Sequence, residues 1–246
     1  MLNFWNRVNK SVAHKSYIGT FHKTGTVLFG GILRRAEKSN LLVPWYMHKA
    51  SKPKKWTIGF DYTSIKLMEL MKDNQTNSKY VICIRDPRDV IVSGAYYHTK
   101  SNEKWLHIPQ KRFNGLTYQE KINSYMNMSD KFLFEMDYNA ALTINDMLKV
   151  PQNKENVYIT KLENLVQDYN LREYTKVYTA LGFSGDLIAQ LLLVSYNNSL
   201  FSGNVKIEGH VRSGKPKQYI SEFSDTVLKR YYEIYGDSAL KLGYDA

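Results

Sequence analysis

Residues 16–35 constrain the fold of this 246-residue chain more than any other stretch. A short run of strand-forming residues at positions 17–21 breaks at a turn containing Lys23 and Gly25, and apolar residues at helical spacing follow. A strand, a glycine-containing turn with a lysine, and a helix N-terminus present backbone N–H groups and positive charge to an anion. The lysine precedes the glycine, so the turn differs from the GxxxxGKS/T nucleotide loop. Taken alone, it could also be only a capped helix start.

Residues 79–98 have the same strand–turn–helix organisation. Residues 80–84 form a continuous apolar run with β-branched side chains, which is typical of an interior strand in a parallel sheet. Arg85 follows at the carboxyl end of that strand, as Lys23 follows the first strand. Because ligands of open α/β sheets bind at this edge, the two cations predict a site for a ligand with two separated anionic groups.

The residues after Arg85 carry the signals of a helix start. Asp86 can cap the helix, Pro87 suits its first position, and Asp89 favours its first turn. Ser93 lies about two turns into the helix. An alternative role for Arg85 is an ion pair with Asp86 or Asp89, because an arginine at a strand end is costly unless it has a partner.

The net charge of +11 predicts an anionic partner, namely a phosphorylated small molecule, a nucleic acid or a membrane surface. Surface lysines that only promote solubility are the alternative. The single cysteine, Cys83, excludes an internal disulfide and a cysteine metal cluster, and no His/Asp/Glu spacing indicates a metal site. The N-terminal residues lack a signal-peptide core and no segment is long enough to span a membrane, so we expect a cytoplasmic protein without a membrane partner.

The remaining elements complete an α/β pattern. Further strands are predicted at residues 56–62 and, together with a turn, at 156–165, and helices at 64–72, 128–150, 171–181, 186–196 and after Ser224. Residues 99–150 interrupt the alternation and are expected to form an insertion that caps the substrate site. The prediction is one domain over residues 1–246, in the α/β class, with a central parallel sheet flanked by helices.

Three further features are candidates for a functional role. Asp61 lies at the carboxyl end of the strand predicted at 56–62. His48 lies in the Pro- and Lys-rich residues 38–56, which are predicted to be a loop or a short helix. Near the C-terminus, Arg212-Ser213-Gly214 forms a basic turn that could fold over a phosphate or be an ordinary solvated loop.

Three segments, taken together, resemble the signatures of the PAPS-dependent sulfotransferase family. They are Lys23-Thr24-Gly25-Thr26, Arg85 with Ser93, and Arg212-Ser213-Gly214, and they occur in the family's order. The family's loops usually read PKSGTTW, RxPxDxxxSxxxH and RKG. The second is the most specific match, since Arg85, Pro87, Asp89 and Ser93 fall in register and Tyr97-His98 follows at the end of the motif. The resemblance implies a P-loop-like sulfotransferase fold over nearly the whole chain.

The resemblance also implies roles for individual residues. The first loop would bind the 5′-phosphosulfate of PAPS through Lys23 and through amides and hydroxyls of the residues after it. Arg85 and Ser93 would bind the 3′-phosphate, with help from the third motif. The residues expected to bind the donor are Lys23, Thr24, Gly25, Thr26, Val27, Arg85, Ser93, Arg212, Ser213 and Gly214. No metal is required.

The chain departs from the family pattern at several positions. His22 replaces a proline, and Val27 replaces a hydroxyl residue, so one phosphate contact must come from the backbone alone. Leu28 replaces a tryptophan that stacks on adenine, so another aromatic residue must stack there or the stacking is lost. Ser213 replaces a lysine in the third motif, and Lys215 could compensate.

The implied reaction moves a sulfuryl group from PAPS to a hydroxyl or amine of a small organic acceptor and releases 3′,5′-ADP. Lys23 is expected to stabilise charge on the bridging oxygen. For the base, Asp61 is the nearest candidate if burial raises its pKa, although it could equally cap the next helix. His48 is the second candidate, ahead of His22 and His98.

Two other classes of function compete with this interpretation. An ATP-dependent small-molecule kinase would also use glycine-containing turns and basic edges, but the chain lacks the GxxxxGKS/T loop. A basic nucleic-acid-binding module would use lysine and tyrosine for charge and stacking, yet the basic residues lie at strand–helix turns. We therefore expect a small-molecule acceptor, no nucleic-acid partner, and a monomer or homodimer.

Overall fold

The structure is a computed structural model that describes residues 15–49, 51–72, 77–204 and 214–245. Within these residues the chain divides into two compact units. The sheet unit comprises the described residues up to Ile84 and residues 151–204, and the helical unit comprises residues 85–150 and 214–245. The prediction of a single domain over residues 1–246 stays a prediction.

The sheet unit contains five strands in the described part of the chain, in the order β2-β3-β1-β4-β5. The strands are β1 Lys15–Gly19, β2 Pro44–Tyr46, β3 Ile58–Asp61, β4 Ser78–Ile84 and β5 Val157–Lys161. All pairings between them are parallel. The α/β class with a central parallel sheet is therefore confirmed, and β1 lies at its centre between β3 and β4.

The helices of the sheet unit cover the sheet. They are α1 Thr26–Lys38, α2 Ile65–Lys72, α7 Leu162–Val166, α8 Arg172–Ala180 and α9 Asp186–Asn198. The main apolar core joins strand residues such as Ile18 and Val81 to Phe29 and Leu33 of α1 and to buried residues of α8 and α9. Each such fully buried side chain contributes roughly 1.5–3 kcal/mol. α8 is followed by Gly182 with a φ of 80°, a left-handed conformation that commonly ends helices.

A row of aromatic side chains crosses the opposite face of the sheet. Tyr17 of β1 is in register with Tyr80 of β4, and their rings stack with centroids 5.3 Å apart. Tyr17 is also in register with Gly59 of β3, where an added Cβ would lie 2.5 Å from the Tyr17 ring. Glycine at position 59 therefore provides the space that this buried tyrosine occupies.

The helical unit consists of helices and turns in its described residues. The helices are α3 Pro87–His98, α4 Tyr118–Asn123, α5 Met128–Asp137, α6 Asn139–Leu148, α10 Tyr219–Glu222, α11 Asp225–Tyr235 and α12 Ser238–Lys241. α3 is its central element and contacts α4, α5, α6, α10 and α12. Ten of its twelve residues are buried, so it can position side chains firmly.

Two predictions of secondary structure were wrong. The helix predicted over residues 128–150 breaks at Tyr138, whose φ and ψ are −123° and −93°; the neighbours Asp137 and Asn139 favour caps over helix interiors. Residues 38–56, predicted to be a loop or a short helix, contain the strand β2. β2 is an edge strand that starts at Pro44, which is a position where a strand tolerates proline.

Candidate active site

The loop after β1 has an unusual backbone. Lys23 has a φ of 65° and Gly25 a φ of 113°, so two residues within three positions are left-handed. A Cβ on Gly25 would also lie 3.3 Å from both Cys83 Sγ and a Leu162 methyl carbon. Glycine is therefore favoured at this position both by the positive φ and by the limited space. α1 begins at the next residue, without a side-chain cap and without an acidic residue in its first turn. The helix start therefore presents backbone N–H groups in a positive field.

The threonine hydroxyls of this loop form hydrogen bonds within the protein that stabilise the loop's conformation. Thr24 is fully buried, and its hydroxyl accepts the Phe21 N–H at 2.7 Å and donates to the carbonyl of Cys83 at 2.9 Å. The Thr26 hydroxyl lies 2.9 Å from the Thr20 hydroxyl and 3.1 Å from the Phe21 carbonyl. Thr24 thus ties the turn to β4, and the loop offers a ligand mainly its backbone and Lys23.

Three predicted catalytic residues follow the carboxyl ends of adjacent strands in the sheet unit. Lys23 follows β1, Asp61 ends β3, and His48 follows β2. Gly19 is in register with Asp61, and Tyr46 is in register with Phe60. The structure therefore brings Lys23, Asp61 and His48 to the same edge of the sheet.

Asp61 is committed to capping a helix. Its side chain is buried, and its carboxylate accepts the Thr63 N–H at 3.1 Å, the Thr63 hydroxyl at 3.0 Å and the Leu67 N–H at 3.2 Å. Leu67 lies in the first turn of α2, so Asp61 satisfies one of that helix's N-terminal donors. The capping role that the sequence left open for Asp61 is present in the structure.

His48 has a different environment from Asp61. Its side chain is exposed, and its ring is T-shaped against Tyr46 and Tyr62, with centroid distances of 6.2 Å and 4.9 Å. The turn that carries it is fixed, since Lys49 N–H donates to the Tyr46 carbonyl and Lys66 Nζ donates to the Met47 carbonyl at 2.7 Å. His48 is therefore an accessible imidazole on an ordered turn at the same edge as Lys23.

The start of α3 in the helical unit follows its sequence prediction closely. Asp86 is the N-cap, accepts the Arg88 N–H at 2.9 Å, and is followed by Pro87 at the first position. The Asp86 carboxylate also accepts two bonds from the Arg88 guanidinium, at 3.0 and 2.8 Å, and both side chains are buried. Arg88 also lies 4.0 Å from the centroid of the Tyr219 ring and donates to the Asp245 carbonyl.

Arg85 has an acidic neighbour on the next helical turn. Its Nη2 lies 3.7 Å from Oδ2 of Asp89, which confirms the ion pair that the sequence left open. Asp89 is fully buried and accepts the Tyr219 N–H at 3.0 Å. Burial raises the pKa of Asp89, whereas the Arg85 charge and the Tyr219 N–H lower it in part. Ser93 is half-buried one turn beyond Asp89, at a spacing that places it on the same face of α3.

The third motif is described only from its last residue. Gly214 has a φ of 64°, and Arg212 and Ser213 lie outside the described residues. The segment after Gly214 is anchored within the helical unit. Gln218 Nε2 donates to the Lys215 carbonyl at 2.7 Å, and the N–H of Tyr219 donates to Asp89.

A buried polar cluster at the other end of α3 was not anticipated from the sequence. His98 Nδ1 lies 2.8 Å from the Glu135 carboxylate, which also accepts the Tyr118 hydroxyl at 2.9 Å. Burial and the Glu135 charge raise the pKa of Tyr118 well above its usual range. A Cβ on Gly94 would lie 2.5 Å from Glu135, so glycine admits the carboxylate. The cluster joins residues 99–150 to α3, and the Gly94–His98 spacing was its only sequence signal.

An aromatic group near the first loop was also missed. Asn198 of α9 donates to the Leu28 carbonyl at 3.2 Å, so the end of α9 contacts the start of α1. Tyr196 and Tyr169 are exposed, and each lies within 6 Å, between ring centroids, of Phe201.

Metal ligands and membrane spans were sought over the described ranges. Among those residues, no group of three or more His, Cys, Asp or Glu side chains could hold a metal ion. Within the same residues, the helices are all too short or too polar to cross a bilayer.

Comparison with known proteins identifies the class. A family model described as the sulfotransferase domain matches residues 62–243, well over half of the chain, so the chain belongs to the sulfotransferase family. The crystal structure of mouse sulfotransferase SULT7A1 complexed with PAP is similar in fold, with a TM-score of 0.59 and 14% identity over 92% of this chain and 84% of the mouse chain. No curated protein matches the sequence. The chain is an enzyme of the sulfotransferase class.

Proposed function

We propose that the chain transfers the sulfuryl group of PAPS to a hydroxyl or amine of a small organic acceptor and releases 3′,5′-ADP. The observation that carries the proposal is the loop after β1, where Lys23 and Gly25 shape an uncapped helix start at the carboxyl edge of a parallel sheet. Membership of the sulfotransferase family and the PAP complex of the similar mouse protein support PAPS as the donor.

The residues of the first loop fit the 5′ end of such a donor. Gly25 has no side chain to obstruct a ligand, and the first turn of α1 has no acidic residue that would repel an anion. Thr24 maintains the turn, while Thr26 and Val27 contribute backbone N–H groups, as expected for a valine that replaces a hydroxyl residue. Backbone amides at a helix N-terminus bind phosphate and sulfate groups well.

For the 3′-phosphate, the proposed residues belong to the helical unit. Arg85, just before α3, supplies a guanidinium, and Ser93 of α3 supplies a hydroxyl. Gly214, with Arg212 and Ser213 before it, supplies the basic turn that the resemblance implies. A guanidinium suits this role because its planar N–H groups match phosphate oxygens.

The chemistry of the step defines what Lys23 must do. The bound donor supplies a sulfuryl group attached to a phosphate that leaves as its bond to sulfur breaks. The Lys23 ammonium then stabilises the negative charge that develops on the bridging oxygen, without a metal ion. One such donor is typically worth about 3–4 kcal/mol of barrier.

The acceptor must lose a proton as its oxygen or nitrogen bonds to sulfur. We assign this proton to His48 rather than Asp61, because His48 is exposed while the Asp61 carboxylate accepts three hydrogen bonds within the protein. Histidine is the most common general base near neutral pH. The Tyr46 and Tyr62 rings beside His48 favour a small organic acceptor.

The function is tested with purified protein and two nucleotides. We expect 3′,5′-ADP to raise the melting temperature more than ATP with Mg²⁺, since binding to the folded state stabilises it. We expect a panel of hydroxyl and amine acceptors incubated with PAPS to yield a product carrying one added sulfo group by mass spectrometry, and the Lys23→Ala protein to form that product much more slowly. Stabilisation only by ATP with Mg²⁺ would favour a kinase. Salt-sensitive binding to any oligonucleotide, with no effect of 3′,5′-ADP, would favour a nucleic-acid-binding protein.

The base assignment is tested by a matched pair of variants. His48→Asn is expected to lower kcat by about 100-fold or more, since general-base catalysis typically contributes that much. Asp61→Asn is expected to keep most of its turnover and to lose stability, on the order of 1 kcal/mol as for other helix caps. The opposite pattern, with 3′,5′-ADP binding retained in Asp61→Asn, would return the role to Asp61.

We further propose a cytoplasmic protein, monomeric or homodimeric, that acts without metal, membrane or nucleic acid. A single, buried cysteine suits a reducing compartment. Retention of activity in EDTA and the mass measured by size-exclusion chromatography with light scattering test the metal and oligomer proposals.

A further inference from the structure

Asp89 is a buried acid that helix capping does not explain. The N-cap of α3 is Asp86, and Asp86 also holds Arg88 with both carboxylate oxygens. Asp89 lies three residues after Asp86. It is fully buried, and its burial raises its pKa. Placing a carboxylate there is costly unless its contacts compensate for the lost hydration.

The contacts of Asp89 connect two parts of the helical unit that are far apart in sequence. On one side, Oδ2 lies 3.7 Å from Nη2 of Arg85, the residue that precedes the helix. On the other side, Oδ1 accepts the N–H of Tyr219, five residues after Gly214, and the backbone of Lys217 adds a weaker interaction. Asp89 therefore contacts both the proposed phosphate ligand of the second motif and the segment that directly follows the third.

We propose that Asp89 is a positioning residue for the donor, which orients the Arg85 guanidinium and fixes the backbone at Tyr219 so that the nucleotide's 3′-phosphate is recognised. The inference rests on the proposed function, because it takes Arg85 as a ligand of that phosphate. Orientation matters for an arginine, whose long side chain has substantial rotamer entropy to lose. A guanidinium has five N–H groups, so a carboxylate at one edge is compatible with a phosphate at another.

Removal of the Asp89 charge can change phosphate binding in two opposite directions. The direction shows whether Asp89 positions Arg85 or competes with the phosphate for it. If Asp89 positions Arg85, removal of its charge leaves the guanidinium less well oriented and weakens phosphate binding. If Asp89 only competes with the phosphate for Arg85, removal of its charge also removes a repulsion and tightens binding.

The experiment compares 3′,5′-ADP with 5′-AMP, which differ only in the 3′-phosphate. We expect Asp89→Asn, which keeps an oxygen to accept the Tyr219 N–H, to weaken 3′,5′-ADP binding by about tenfold in calorimetry, as typical of one charge-assisted contact. Binding of 5′-AMP is expected to change less than about twofold, and KM for PAPS to rise with kcat nearly unchanged. Tyr219→Phe, which keeps the backbone N–H, is the matched control and is expected to bind both nucleotides like the wild type.

A double-mutant cycle tests whether Asp89 acts through Arg85. In an Arg85→Ala background, Asp89→Asn is expected to cause no further loss of 3′,5′-ADP affinity, because the group that it orients is gone. If Asp89→Asn is unfolded at the assay temperature, Asp89→Ser is measured in its place.

Unchanged or tighter 3′,5′-ADP binding in the Asp89 variants would overturn the inference, and so would an equal loss for both nucleotides, which indicates a general structural defect. A wild-type protein that does not prefer 3′,5′-ADP over 5′-AMP would instead overturn the proposed function. The two failures are thus distinguishable.

Discussion

The loop after β1 in the sheet unit and the start of α3 in the helical unit are both proposed to bind phosphate groups, yet they are built differently. In the loop, positive φ angles at Lys23 and Gly25 shape the backbone, and the threonine hydroxyls hold that shape. At the start of α3, buried side-chain charges are paired, Arg88 with Asp86 and Arg85 with Asp89. One region depends on backbone geometry and the other on particular charged groups.

This difference explains how the chain departs from the sulfotransferase pattern. Every residue has a backbone N–H except proline, so a loop that binds through amides can carry His22, Val27 and Leu28 in place of the family's residues. A guanidinium or a buried carboxylate has no such substitute, and the second motif keeps Arg85 and Asp89 in register. The effects of substitutions in the two regions should therefore differ in the property that changes as well as in size.

The largest expected effect is on the stability of the helical unit. Arg88→Leu leaves the buried Asp86 carboxylate without its guanidinium, and breaking a buried pair in this way typically costs about 3–5 kcal/mol. Urea denaturation followed by fluorescence measures the change in free energy of unfolding. Asp86→Asn combined with Arg88→Leu should recover part of the loss, whereas a loss below about 1 kcal/mol in Arg88→Leu contradicts the importance of the pair.

The second effect is on catalysis at the first loop. Lys23→Ala is expected to lower kcat by about 100- to 1,000-fold, since it removes one electrostatic contribution to the transition state. The melting temperature should stay near that of the wild type, because α1 and its core residues are untouched. Steady-state rates with PAPS measure the effect, and Lys38→Ala, an exposed lysine in the last turn of α1, is the matched control. Equal rate losses in both variants would argue against a specific role for Lys23.

The third effect concerns the scaffold of the same loop. Thr24→Val keeps the shape of the side chain but removes the hydroxyl that accepts the Phe21 N–H and donates to the Cys83 carbonyl. Leaving such groups unsatisfied costs about 1–3 kcal/mol. We expect a lower free energy of unfolding and weaker 3′,5′-ADP binding, both measurable by thermal shift. Thr26→Val, whose hydroxyl is only partly buried, should lose less; an equal or larger loss would mean that Thr24 is not the main anchor.

The smallest effect is a pH dependence in the helical unit. Burial raises the pKa of Asp89 in the folded state, so the folded protein holds the proton more tightly than the unfolded chain. The resulting contribution to stability is present below the unfolded-state pKa and is lost as pH rises through the higher folded-state pKa. The free energy of unfolding of the wild type, minus that of Asp89→Asn, should therefore fall with rising pH across the acid range in urea titrations. A difference that rises with pH would show that Arg85 outweighs burial.

Local signals explain what the sequence could predict. The cap, proline and first-turn acid of α3 lie within four residues of each other, and the structure places each as expected. The apolar run of β4 likewise identifies an interior parallel strand, which pairs with β1 and β5. These features depend on residues that are close in the sequence, so a local sequence pattern can predict them.

The features that the sequence did not predict depend on distant partners. Glu135 lies 37 residues from His98, and Tyr219 lies 130 residues from Asp89, and no local pattern identifies either partner. The role of Asp61 stayed open because a strand-end acid suits catalysis and capping equally, until the bond from Leu67 was visible. In α11, Val227 and Tyr231 are buried whereas Tyr232 is exposed, and only the packing of the helix fixes the width of its apolar face.

The position of the only thiol offers a built-in reporter. Cys83 is buried; its carbonyl accepts the Thr24 hydroxyl, and its sulfur lies beside Gly25. With one thiol in the chain, an alkylating reagent has a single possible target, so the rate of labelling measures how often the turn lifts away from the neighbouring strand. Labelling that slows when nucleotide is added would record closure of that turn without any engineered probe.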